Sequence, residues 1–210
     1  TIPIAVYNNR KVVISTATVA LQEQLVNKDL PLFRRITDRE FSFILAKGRQ
    51  RYCCAEKLAS ASGVDGGQLA MFESKPEKNE VELLQTMYKS LVNGKWDGDR
   101  DSWPKPIRDE LWLSIVSDKH SCNNSLPAHR GCPFQKARSE LDKAGVIIAN
   151  HSLVMADADL GGGVILPEPE STIYVFDEAH HLPKVARDHS SASSSLKGAS
   201  SWLERLNQLV

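Results

Sequence analysis

Neither sign of charge is in surplus: 26 lysines and arginines face 26 aspartates and glutamates. That excludes a uniformly basic surface, so any contact with a polyanion must come from local basic patches. No run approaches the ~20 apolar residues that a membrane helix needs, and no signal peptide is visible. Cysteine is scarce, with only Cys53, Cys54, Cys122 and Cys132. Without a secretory signal these read as ligands or reduced thiols rather than a disulfide framework. Repeats are missing. So is the H-E-x-x-H pattern that sets two metal-binding histidines on one helical face, which argues against a metal hydrolase. The phosphate cradle G-x-x-x-x-G-K-[ST] is absent as well. Gly94-Lys95-Trp96 has neither its spacing nor its hydroxyl, and Gly161–Gly163 has no lysine behind it.

What is present is globular in composition, 41% hydrophobic and 25% charged. The 210 residues suit one large domain or two small ones. Thr1 leads at once into apolar sequence, so the chain reads as a fragment whose amino terminus lies upstream. Lys11–Ser15 reads as a buried strand. A helix follows, with Ala17, Leu21 and Leu25 at i, i+4, i+8 as its core face and Pro31 as its far boundary. "FSFILAKG" (41–48) is a second strand. Strand, helix, strand implies α/β with a parallel sheet. Residues 49–145 carry all four cysteines and turn-rich stretches at 60–68 and 93–106. Between those stretches Val81, Leu84, Tyr88 and Leu91 mark a helix. "PFQKARSELDKAG" (133–145) predicts another, with Pro133 in its first turn and Gly145 as carboxyl cap. Strands return at Val146–Ala149 and Thr172–Phe176, joined by a loop holding "GGG" and "PEPE". The economical reading is one α/β domain interrupted at about 49–140. After Arg187 comes a flexible or capping stretch, then a helix started by Trp202, Leu203, Leu206 and Leu209.

The strand Thr172–Phe176 ends abruptly in Asp177-Glu178-Ala179-His180. Burying charge is costly, and the carboxyl end of a parallel strand is where ligands bind in open α/β sheets. One reading is a charged surface turn. The other is a phosphate site, in which Asp177 holds Mg²⁺ and Glu178 orients or deprotonates a water. The second needs a phosphate cradle upstream of Thr1.

Four segments together resemble the DinG/XPD-type family of superfamily 2 DNA helicases, and its DinG branch most. "VVISTATVALQEQLVNKDLP" resembles motif Ia and "KGRQRYCC" the K-G-R-x-x-Y-x-C element. "ARSELDKAGVIIANHSLVMAD" resembles the segment leading into the Asn-His motif, and "VFDEAHHLPKVARD" the Walker B box. The resemblance implies a piece of an ATP- and Mg²⁺-dependent 5′-to-3′ helicase in DNA repair or replication, inactive alone without its Walker A. The alternative is a non-enzymatic nucleic-acid- or metal-binding module. The fold implied is an incomplete parallel-sheet, P-loop NTPase-like (RecA-like) α/β domain with a mostly helical, cysteine-containing insertion. Residues 1–48 and 141–187 would be helicase domain 1, 49–140 the iron–sulfur-type insertion, and 188–210 the start of a helical arch. Asp177, Glu178 and His180 would be the Mg²⁺ partner, the water-activating base and the coupling residue. The partner would be single-stranded or forked DNA, and the parent a monomeric, cytoplasmic, nucleoid-associated bacterial protein with no membrane contact.

Thr16, Gln22 and the amino end of the first helix would lie near the DNA backbone. Lys47, Arg49 and Arg51 would follow single-stranded phosphates, and Tyr52 would stack a base. The acidic "DGDRD" (97–101) is expected away from that path. Cys54, Cys122 and Cys132 match three of the four thiolate ligands of a [4Fe-4S] cluster, but the remaining ligand position holds Leu126. Three outcomes stay open: Cys53 or His129 completes the set, zinc replaces the cluster, or the metal is lost. Taken singly, Cys53 reads as a packed small hydrophobe.

Overall fold

The computed structural model describes residues 1–37, 40–63, 78–118, 122 and 131–191. Helix α1 (Ile2–Tyr7) precedes strand β1 (Lys11–Thr16), and α2 (Val19–Gln24) and α3 (Leu30–Thr37) lead to β2 (Phe43–Leu45). Helices α4 (Ala55–Ala61), α5 (Lys78–Val92), α6 (Asp109–Ile115) and α7 (Pro133–Leu141) come next. Strand β3 (Val146–Asn150), α8 (His151–Asp159), β4 (Thr172–Phe176) and α9 (Leu182–Ser190) follow. The strands form one parallel sheet in the order β2-β3-β1-β4, the α/β class expected from the sequence.

The β-branched runs of β1 and β3 form central strands because helices cover both faces. Val146, Ile147, Ile148 and Ala149 have no exposed surface. Alternate residues point to opposite faces. Val13, Ile147 and Ala149 pack against Leu153, Val154 and Leu141 on one side. Val12, Val146 and Ile148 pack against Ala5, Leu30 and Phe41 on the other. Each buried valine, leucine or isoleucine among these contributes roughly 1.5–3 kcal/mol. A separate core lies within residues 53–116. There Cys53, Leu58, Leu84, Met87, Trp96, Trp112 and Ile115 pack together, with Tyr88 and Leu91 against them.

Four local expectations are corrected. Pro31 does not end the first helix. One π-helical turn, Leu25–Asp29, in which the Leu30 N–H reaches back to the Leu25 carbonyl, carries the chain into α3. The wider turn accommodates a residue that lacks an N–H and whose ring crowds the preceding turn. The buried residue of α2 is Gln22, whereas Ala17, Leu21 and Leu25 are only half-buried. Gly145 is not the cap of α7, which ends at Leu141 with Asp142 as its cap. It opens β3 instead, donating its N–H to Ser42 Oγ at 3.0 Å. Helix α9 also runs past Arg187 to Ser190. The helix expected from Trp202 lies outside the described residues.

The loop before β4 is organised by Asp157. Its buried carboxylate accepts the backbone N–H groups of Gly163, Val164, Ile165 and Leu166 at 2.5–3.2 Å. Gly163 sits at φ 74°, a left-handed conformation that favours glycine.

Register fixes the functional edge. Ser15 of β1 lies opposite Ala149 of β3 and Phe176 of β4. The segments leaving these strands therefore gather at the carboxyl edge of the sheet, where ligands bind in open α/β folds.

Candidate functional site

Asp177 and Glu178 emerge directly from β4. The Asp177 N–H donates to the Ser15 carbonyl at 2.8 Å, extending the parallel ladder by one bond. Glu178 then turns the chain at φ 50°, ψ 45°. A left-handed conformation in a non-glycine residue costs about 1–3 kcal/mol and recurs at functional sites. Ala179–His181 forms a 3-10 turn, and Pro183 sits in the first turn of α9. Asp177, Glu178 and His180 are exposed. The Glu178 carboxylate lies 3.5 Å from His181 Nε2. Ligand atoms of Glu178, His180 and His181 all lie within 4.8 Å of one another. The turn thus presents carboxylates to solvent on a backbone fixed by the sheet.

His151 and Ser15 complete this edge. Asn150 caps α8, its Oδ1 accepting the Leu153 N–H at 2.7 Å. His151, 1% exposed, places Nδ1 2.6 Å from Ser15 Oγ. Burial holds the imidazole below its usual pKa, while the nearby backbone of Asp177 and Glu178 opposes that shift.

The residues expected to touch DNA are placed differently. Thr16 is fully buried and donates to the Thr18 carbonyl at 3.3 Å, and Gln22 is 6% exposed. Neither presents its side chain to solvent. Tyr52 is buried against Phe134, so its ring is not offered to a base. The "DGDRD" segment, expected away from the basic residues, lies directly on them. Lys47 pairs with Asp99 and, at 3.0 Å, with Asp101. Arg51 pairs with Asp101 through Nε at 3.2 Å. Arg49 stacks on Phe134, 4.3 Å from its ring centroid, and donates to the carbonyls of Asp118 and Cys122 at 3.3 and 3.4 Å. It joins the cysteine-bearing segments rather than facing outward.

All four cysteines are buried and none forms a disulfide. Isolated bridges hold Tyr52 to Asp99 and Cys53 to Val116, so the chain is extended there and neighbouring side chains diverge. Cys53 enters the packed core, next to Gly98, whose φ of 83° and crowded approach to Pro133 leave no room for a Cβ. Burial pushes its thiol far up. Cys54 turns the other way, toward Cys122. Its thiol is raised to about 11 by burial, against backbone hydrogen bonds from Lys57 and Glu56 that lower it. Those N–H donors favour thiolate, the form that binds metal. Cys132 caps α7 beside Tyr52 and Phe134. Two converging sulfurs with amide donors to one of them fit thiolate ligation, whereas the Cys132 thiol acts on Cys53. Among the described residues no three cysteine sulfurs lie as close together as the Glu178–His181 group, the packing that Zn–S bonds of ~2.3 Å would need. Leu126 and His129 lie outside the described residues.

The family model named DEAD_2 matches residues 16–199. The chain belongs to the DEAD_2 family. It is 66% identical over its whole length to the ATP-dependent DNA helicase DinG of Photobacterium profundum, covering 30% of that protein. It is 40% identical over 208 residues to the protein of the same name from Salmonella choleraesuis, covering 28% of it. The DEAD_2 chain is thus DinG-like and spans less than a third of these relatives. A solved structure titled "Truncated XPD" is 17% identical, with a TM-score of 0.43 over 84% of this chain and 42% of that one.

Within the DEAD_2 chain, Ser15 and His151 are members of the edge that the sequence reading above does not include. The available signal was Asn150-His151 directly after a wholly apolar strand, a polar pair where a buried strand gains nothing from polarity.

Proposed function

We propose that this chain is the part of an ATP-dependent 5′-to-3′ DNA helicase that carries its DEAH box, acting on single-stranded or forked DNA in repair or replication. The observation that carries the reading is the DEAH turn on the carboxyl edge of a parallel sheet, anchored by Asp177 N–H to Ser15. Asp177 would hold Mg²⁺, which when bound neutralises phosphate charge. Glu178, exposed and in a left-handed backbone conformation, is the base that orients or deprotonates the attacking water. His180 couples the turn to neighbouring elements. The chain has no phosphate cradle, so that part falls to the remainder of a longer polypeptide.

Cys54, Cys122 and Cys132 would hold a [4Fe-4S] cluster, which when bound supplies a covalent tie between the segments that carry them. Arg49 braces those segments. Lys47 and Arg51 reach DNA phosphate only by exchanging it for Asp101, and the buried Thr16 and Gln22 act by shaping the edge rather than by contact. Residues 1–48 and 141–187 form helicase domain 1, 49–140 the insertion, and 188–210 the start of the arch.

The test is strand separation and DNA-stimulated ATP hydrolysis by the full-length protein and its Asp177→Asn variant, with iron and acid-labile sulfide measured in the same anaerobic preparation. Loss of both activities in the variant, at near-cluster iron and sulfide in both proteins, is expected. Undiminished hydrolysis by Asp177→Asn would refute the DEAH assignment, and absence of iron would refute the cluster.

A further inference from the structure

His151 stands beside the DEAH turn with no part in the hydrolysis proposed above. It is the first residue of α8, carried to the sheet edge by β3, and is 1% exposed. Its Nδ1 lies 2.6 Å from Ser15 Oγ. Its Nε2 is buried and has no hydrogen-bond partner among the described residues. Such orphans are rare, because a desolvated polar atom without a partner is costly. The DEAH turn is what faces it. The ring centroid lies 6.3 Å from that of Phe176, and the backbone of Asp177 and Glu178 favours the protonated ring, which is what acceptor carbonyls do. Ser15 also accepts the Asp177 N–H on its carbonyl. One residue of β1 thus fixes both the imidazole, through its hydroxyl, and the first residue of the turn, through its backbone. Glu178 follows in a left-handed conformation, outside any regular ladder that would set its direction.

We propose that His151 is a positioning residue for the DEAH turn: the Ser15 hydroxyl donates to Nδ1, leaving Nε2–H aimed at the Asp177 and Glu178 carbonyls. That hydrogen bond closes when the turn settles around bound nucleotide, and it sets the direction of both carboxylates. The inference rests on the DEAH reading under Proposed function.

The test uses the full-length protein and the different reach of two amides. Asparagine places its amide where Nδ1 sits, and glutamine extends to the position of Nε2. His151→Asn therefore keeps a group for Ser15 and loses the donor toward the turn, while His151→Gln keeps that donor. In DNA-stimulated ATP hydrolysis, His151→Asn should lower kcat at least tenfold, with KM for ATP and the thermal midpoint unchanged. His151→Gln should stay within threefold of wild type. Ser15→Ala releases the ring without altering the turn, so it should give an intermediate loss and no further loss in the His151→Asn background. A wild-type kcat for His151→Asn overturns the inference. So does an equal fall in both His151 variants with a lowered thermal midpoint, which is the signature of packing alone. Glu178→Gln separates the two levels. If it is inactive while His151→Asn is normal, only the positioning role fails. If it is active, the DEAH reading fails and this inference with it.

Discussion

The Tyr52 phenol, expected to stack a base, is enclosed beside Phe134 with ring centroids 5.9 Å apart. Burial, with Asp99 and Asp97 nearby, pushes its pKa up to about 12. An unfolded tyrosine titrates near 10. The unfolded chain therefore releases this proton first as pH rises, and Tyr52 contributes stability that is complete below pH 10 and is lost between 10 and about 12. The loss should approach roughly 2 kcal/mol, and Tyr52→Phe should remove it. Urea unfolding at pH 9 and pH 11 checks this: the wild-type midpoint falls more than that of the variant. A parallel fall in both would show that the phenol is solvated. Single residues were legible in the sequence where their chemistry is out of place. Two carboxylates after an apolar strand mark Asp177 and Glu178. Tyr52 beside Arg49 and Arg51 is in place both for stacking and for burial, and only tertiary packing decides between them. His151 directly follows its strand in the sequence, but its pairing with Ser15 spans 136 positions, which no local pattern encodes.

The elements show the same division. Strand Thr172–Phe176 and helix Pro133–Leu141 were readable from apolar period and proline placement. Pro31 misled, because a π-helical turn absorbed it. The "DGDRD" segment misled more instructively. Its charge was plain, but its place against Lys47 and Arg51 depends on the bridge from Tyr52 to Asp99, 47 residues apart in the chain. The ion cluster makes a prediction at this scale. Asp101 is half-exposed, so phosphate can compete for its partners, and exposed pairs hold by only ~0.2–1 kcal/mol. Asp101→Ala should tighten single-stranded DNA binding about threefold at low salt, with the gain shrinking as salt rises. Fluorescence anisotropy across a salt series measures it. Unchanged or weaker binding would place the DNA path elsewhere.

Across the whole molecule, β3 and β1 carry both faces of the sheet's core, and a second core lies within residues 53–116. The parallel α/β class and the position of the DEAH turn followed from strand, helix and strand in order. The cores inside the cysteine-bearing region did not, because tryptophans, cysteines and short helices there show little periodicity. The chain covers 30% of its Photobacterium relative, so the central claim is best tested where the rest of the polypeptide is present. The measurement is ATP turnover alongside ATP affinity for full-length Glu178→Gln with saturating single-stranded DNA. Removing the base while keeping the shape of the side chain should cut kcat at least a hundredfold, about 2.7 kcal/mol of barrier, and leave ATP binding within a few-fold. Turnover close to wild type would contradict the account and return the DEAH segment to a charged surface turn.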